Sequence, residues 1–428
     1  MPPNDVTLGL ALVKHGDVLH VLSSSGMRWG SLRPTGTFTP DWAAVHSASR
    51  ALADNARGAS TEGELSATML AANERLGGFL FDELLPYDVK TALRRDIGAL
   101  TISLDVELMQ VPWELLHTGD ELLSHRWSMS RALQLPASFE IRAEAAAAPS
   151  MARVLIVADP DGSLDESYAE GVAVHHILKS ADGVDASLRA ADVDASVIRQ
   201  SARRYDVIHF AGHVDAAGWR MAESVLNAAS VRRLAGGGEV PSLVFVNGCG
   251  AAGGEHAAVT QAWLEAGVPH VIAPLFDVPD RLARDFSQLV YRSLLAGDSI
   301  GDAVRAARLD LAQAVGAGAT SWAGYVLFGD PCARFTAEPQ NRKVVVQSGT
   351  RLSGTEPRRS EATRAEAAPI STAWHTQSPP TRFSFEGPTL AILLACMVLL
   401  ALAAMWWLQL DGSSLFWGDV GPSTFDAD

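Results

Sequence analysis

Cysteine is scarce in this chain. Three occur among 428 residues, Cys249, Cys332 and Cys396, with no paired spacing and no CxxC. That excludes a disulfide framework and a zinc knuckle, and it fits a reduced, cytoplasmic setting. A surplus of positive charge is missing too. Lys and Arg number 34 against 49 Asp and Glu, a formal net charge of −15, so no nucleic-acid partner is expected. No GxxxxGK[ST] loop is present, and the chemistry read below needs neither nucleotide nor metal, so no cofactor is expected. The opening residues Met1–Asp5 carry no basic stretch and lead into no long apolar run, so no secretory signal is expected.

What the chain has is apolar bulk. Hydrophobic residues make up 48%, enough for a full core in two or three compact domains. Alternating segments within residues 7–33, split around Gly16, read as a β-hairpin. Residues 40–57 and 62–86 read as helices, and Ala99–Leu104 as a strand. Residues 1–137 thus form an N-terminal α+β part, and 138–151 a connection. Residues 152–336 alternate strand and helix. The strands are Arg153–Ala158, Val207–Ala211, Leu243–Asn247 and Val268–Leu275; the helices are about 168–180, 259–266, 283–296 and 301–315. Such alternation implies α/β architecture, a mostly parallel sheet between two helical layers.

Residues 337–388 are rich in Ser, Thr, Pro, Ala and Arg and read as a flexible linker. Residues 389–410 carry no charge over 22 positions, long enough for one transmembrane helix, with Trp406 and Trp407 suited to the interface. Arg358, Arg359, Arg364 and Arg382 precede this span. The short acidic tail 411–428 has no Lys or Arg. The positive-inside rule then predicts a C-terminal membrane anchor with the body in the cytoplasm.

Two segments carry chemistry. Val207–Ala211 is followed by Gly212 and His213, and Leu243–Asn247 by Gly248 and Cys249. Apolar runs bounded by Gly read as buried parallel strands, which deliver both side chains to the carboxyl edge of one sheet, where active sites of open α/β sheets lie. A thiol beside an imidazole base is a nucleophile at neutral pH. His209 stands four before His213, metal-ligand spacing on a helix, but this segment is a strand, so His209 reads as a core residue and no zinc site is expected. No third member of a triad is legible; Asp206, Asp215, Glu255 and Asp277 each remain open as imidazole partner or pocket lining.

Taken together, these residues resemble the CHAT domain, a caspase-like peptidase of clan CD, over roughly residues 60–335. The likeness rests on VPWELL at Val111–Leu116, LIVADPDGSL at Leu155–Leu164 with Glu170 beyond, and VIHFAGHV at Val207–Val214. It continues through LVFVNGCGAAGG at Leu243–Gly254, GVPHVIAPLFDVPD at Gly267–Asp280, GDAVRAAR at Gly301–Arg308 and WAGYVLFGDP at Trp322–Pro331. The resemblance implies a caspase-like three-layer sandwich with His213 as base and Cys249 as nucleophile. It also implies an oxyanion hole from the backbone N–H groups of Val214 and Cys249. Val214 stands where the family often has Gly, and Phe276 where Trp is common. Asp277, Asp280, Glu255 and Phe276 are candidates for the substrate pocket, with a basic or an apolar preference both open. The expected function is a membrane-tethered cysteine endopeptidase acting on specific proteins in bacterial stress or antiviral defence, such as a pore-forming effector; its activating partner is unknown. The rivals are a catalytically idle membrane adaptor and a cysteine-dependent acyltransferase.

Overall fold

The alternating residues at the start pair as their pattern predicts. Strands β1 (Val6–His15) and β2 (Val18–Ser25) form an antiparallel hairpin, and β3 (Arg33–Phe38) adds to β2. Helices α1 (Trp42–Gly58), α2 (Ala67–Leu84) and α3 (Tyr87–Arg95) follow, then β4 (Gly98–Leu104), α4 (Leu123–Arg126) and β5 (Trp127–Leu133). The remainder runs β6 (Arg153–Ala158), α5 (Asp165–Lys179), β7 (Asp185–Ala190), α6 (Ala195–Ser201) and β8 (Val207–Ala211). A small sheet of β9 (Val214–Asp215), β10 (Gly218–Arg220) and β11 (Val225–Leu226) comes next, then α7 (Ala228–Arg232) and β12 (Leu243–Asn247). Last come α8 (Ala258–Glu265), β13 (Val271–Pro274), α9 (Asp280–Leu295), α10 (Ile300–Val315) and β14 (Tyr325–Phe328).

This computed structural model describes residues 6–25, 32–58, 67–134, 149–234, 240–315 and 320–337. They belong to one compact unit, Met1–Val345. Most of the 138–151 connection, the linker beyond residue 337, the span 389–410 and the tail 411–428 lie outside the described residues. Among the described residues, no helix is long and apolar enough to cross a membrane.

Eleven strands make one sheet in the order β3-β2-β1-β4-β5-β14-β13-β12-β8-β6-β7. Strands β13, β12, β8, β6 and β7 are parallel neighbours, and so are β1, β4, β5 and β14. The two blocks meet antiparallel at β13 and β14. The mixed α/β fold with a large, mostly parallel sheet is the architecture that the alternation predicts. Every residue of β8 and β12 is buried, as strands covered on both faces must be. Successive side chains show what covers each face. His209 meets Tyr291 of α9 edge-on at 5.7 Å, while Phe210 stacks on Trp219 at 4.4 Å, and Trp219 meets Trp263 of α8. Helices therefore lie on both faces, giving three layers.

The expected strand Val268–Leu275 begins later, at Val271. The reason is the end of α8. Gly267 adopts φ +94°, its N–H donates to Leu264 O at 3.0 Å, and Val268 N–H donates to Trp263 O at 3.1 Å. This left-handed cap consumes the residues before the strand, and Pro269 has no N–H to give a ladder.

Two of the sequence motifs serve the core. Glu114 in the turn Trp113–Leu115 accepts two hydrogen bonds from Arg131 of β5, and both side chains are buried. Arg308 of α10 is fully buried and donates to Tyr325 O. Burial pulls its pKa down to about 10. At the other end, Met151 N–H donates to Thr336 O at 2.8 Å, and Thr336 N–H to Pro149 O at 3.0 Å. These bonds tie the last described segment beside the start of β6.

Candidate active site

The β8–β12 ladder ends with Ala211 opposite Asn247, and Gly212 N–H donates to Asn247 O at 3.0 Å. His213 and Cys249 each stand two residues beyond that pair. The loops that follow are in close contact. A Cβ on Gly248 would lie 2.2 Å from Val214 Cγ2 and 2.8 Å from Gly212 O, so only the missing side chain permits the approach. His213 is further fixed through its carbonyl, which accepts from Arg220 N–H at 2.9 Å. The loop after β6 is held by Asp159. Its N–H donates to Ala211 O, and its carboxylate accepts from the N–H groups of Ser163 and Leu164. Four strand ends thus converge on a cleft of about 220 Å³, lined by Leu164, Glu166, His213, Cys249, Val278 and Asp280 among others.

Cys249 is exposed at this cleft. Even so, the surrounding groups displace enough water to push its thiol pKa up. The Asp277 and Asp280 carboxylates add to the rise, and Asp277 also attracts the thiol proton. The residue's own N–H works the other way. Asp280 sits in the first turn of α9, where a helix N-terminus favours negative charge. Its carboxyl pKa is nonetheless raised, first by partial burial and then by the facing carboxylates of Glu166 and Glu170, with His213 opposing. In this arrangement the thiol keeps its proton until a base takes it.

Beneath the cleft lies a buried polar floor. Asn247 Nδ2 donates to Glu170 Oε1 and to Ala283 O, while its Oδ1 accepts from Tyr325 OH. Glu170 is 3% exposed. His209 lies inside β8, fully buried, its Nδ1 3.4 Å from Tyr291 OH. Its Nε2 stands 3.2 Å from Glu170 Oε1, without the alignment of a hydrogen bond. Burial and the Glu170 charge hold both Tyr291 and Tyr325 well above the usual phenol range, so both hydroxyls remain donors.

The structure separates the other candidates. Val214 belongs to β9; the bond from Arg220 N–H to His213 O is the pattern that turns Val214 N–H away from β10. Phe276 is 2% exposed and packs against Gly324, outside the cleft lining. Asp277 Oδ1 stands 3.7 Å from the point where a Gly250 side chain would begin. The Glu255 side chain lies outside the described residues. Asp206 opens β8 at the opposite end of the sheet, where it accepts from Arg153. Asp215 closes the turn to β10 and pairs with Arg220 at 3.3 Å. Sequence reasoning passed over Glu166, and it quoted Glu170 only as part of a motif. It also passed over His256, whose Nδ1 lies 3.1 Å from Cys249 O. The spacing Glu166–Glu170, one helical turn beside a strand end, was the available signal.

Among solved structures, the chain is similar to the separase of Saccharomyces cerevisiae in its complex with securin. The TM-score is 0.53 at 10% identity, over 76% of this chain and 30% of the separase chain. This chain therefore spans less than a third of that relative. It is also similar to the Arg-specific cysteine proteinase gingipain R, with a TM-score of 0.48 at 12% identity over 64% of this chain and 75% of that one. At such identities the likeness to separase is one of fold alone. No curated protein matches the chain. The CHAT domain profile, however, matches residues 74–330, more than half of the sequence, and the chain belongs to the CHAT domain family.

Proposed function

We propose that this protein is a cysteine endopeptidase in which Cys249 is the nucleophile and His213 the base. One observation carries the reading: both residues stand two positions beyond the same paired strand ends and line the same cleft. His213 takes the thiol proton as sulfur forms a bond to the substrate carbonyl carbon. Backbone N–H groups of Val214 and Cys249 receive the oxyanion. The C–N bond then breaks, His213 returns the proton to the leaving amine, and water hydrolyses the thioester. Cys249→Ala in a folded protein is expected to abolish cleavage of a protein substrate, and His213→Ala to do the same. Turnover by the Cys249 variant at the wild-type rate sinks the assignment. Activity is also expected to survive EDTA and be lost to iodoacetamide.

The body is further proposed to be tethered to a membrane through residues 389–410, facing the cytoplasm, and to cleave a partner protein such as a pore-forming effector in bacterial defence. The charge-free span and the four preceding Arg support this. Truncation after residue 385 is expected to release an active, soluble protein. Membrane association of the truncated chain would refute the tether. The rival reading is an idle adaptor. Labelling of Cys249 by a peptide-based electrophile at neutral pH separates the two.

A further inference from the structure

We propose that the cleft beside Cys249 receives a cationic side chain of the substrate, that of Arg or Lys at the scissile position, and that Asp280 is the principal charge that selects it. This rests on the peptidase reading of the cleft and names what that reading leaves open.

The lining has two chemistries. Leu164, Pro274, Val278 and Ala283 give apolar walls. Glu166, Glu170 and Asp280 give three carboxylates. The acids are unequally compensated. Glu166 is paired with Arg284 at 2.8 Å. Glu170 is buried on the floor, bonded to Asn247 and close to His209. Asp280 stands in no ion pair among the described residues, and it faces the other two carboxylates across the cleft. Carboxylates crowded into a partly desolvated space repel one another, and a bound cation relieves that repulsion. Apolar walls leading to an acidic end suit a side chain with an aliphatic stem and a charged head. An acidic side chain meets net repulsion there. An apolar one leaves Asp280 partly desolvated without a partner. The cleft is thus built to reject as well as to accept.

The test uses the full-length protein in detergent and two readouts. First, alkylation of Cys249 by iodoacetamide is followed by mass spectrometry with benzamidine, a cation, or benzamide, its neutral counterpart. Benzamidine is expected to slow alkylation and benzamide to have no effect; Asp280→Asn is expected to remove the protection. Equal effects of the two compounds, or no protection by benzamidine, overturn the proposal, whether or not any peptide is cleaved. Second, peptides identical except for Arg, citrulline or Leu at the scissile position are compared. Arg is expected to exceed citrulline in kcat/KM by roughly tenfold or more, and Asp280→Asn to erase the difference. Preferred cleavage at Leu overturns the proposal while sustaining the peptidase reading. Benzamidine protection without cleavage of any peptide sustains the cationic cleft and counts against the peptidase.

Discussion

At the residue scale the telling group is Asp277. It was open from sequence as an imidazole partner or a pocket acid. The structure puts its charge on the thiol, not in the cleft lining. Asp277→Asn removes one carboxylate from beside Cys249 and the attraction on its proton, so the thiol pKa falls and more thiolate is present at neutral pH. Faster iodoacetamide alkylation of Cys249 at pH 7 in the variant is the expected outcome; an unchanged rate refutes this role. His213 and Cys249 were legible because each follows a buried apolar run and a glycine. Glu166 and Asp280 as neighbours were not, since they lie more than 100 positions apart in sequence and meet only where two strand ends come together.

Elements explain which parts of the pattern could be read. Strands β6, β8 and β12 are covered on both faces, so burial selects unbroken apolar runs, and their bounds match the sequence reading. Strand β7 lies at the sheet edge with mixed burial and a polar sequence, DASLRA, which resembles a loop. Strand β5, WSMSRAL, buries Ser130 and Arg131, residues that seldom mark a core. The contact between the loops after β8 and β12 yields a prediction. Gly248→Ala drives a methyl into Val214 and is expected to cost about 1–3 kcal/mol, as overpacking does. Adding Val214→Ala is expected to recover part of the loss. Denaturant unfolding of the single and double variants decides; no recovery means that Gly212 O, not Val214, sets the limit. Helix α4 offers a second. Burial pulls the pKa of His125, stacked on Trp322, down to about 4 from 6.5. Between those values the unfolded chain binds a proton that the folded chain refuses, so stability falls as pH drops through that window. His125→Gln is expected to lose less stability than wild type from pH 6.5 to 4.5; equal losses refute the argument.

For the whole molecule, the junction of the two strand blocks matters most. From sequence, 1–137 and 152–336 read as separate parts. In the structure β14, from the later part, lies between β5 and β13 and joins both into one sheet. The Glu114–Arg131 pair and the buried Arg308 sit near this junction. Glu114→Gln leaves Arg131 without its full counter-charge and is expected to cost about 3–5 kcal/mol, as broken buried ion pairs do. Residues 149–337 expressed alone are expected to misfold or aggregate, because β14 becomes an open edge. Co-expression with residues 1–134 should restore soluble protein; independent folding of 149–337 would show that the junction is not needed.

The bond pair between Thr336 and the 149–151 segment gives the later strand block a direction. It fastens the departing chain at the amino ends of the parallel strands, whereas the cleft opens at their carboxyl ends. Thr336 thus marks the heel of this block, and Cys249 its mouth.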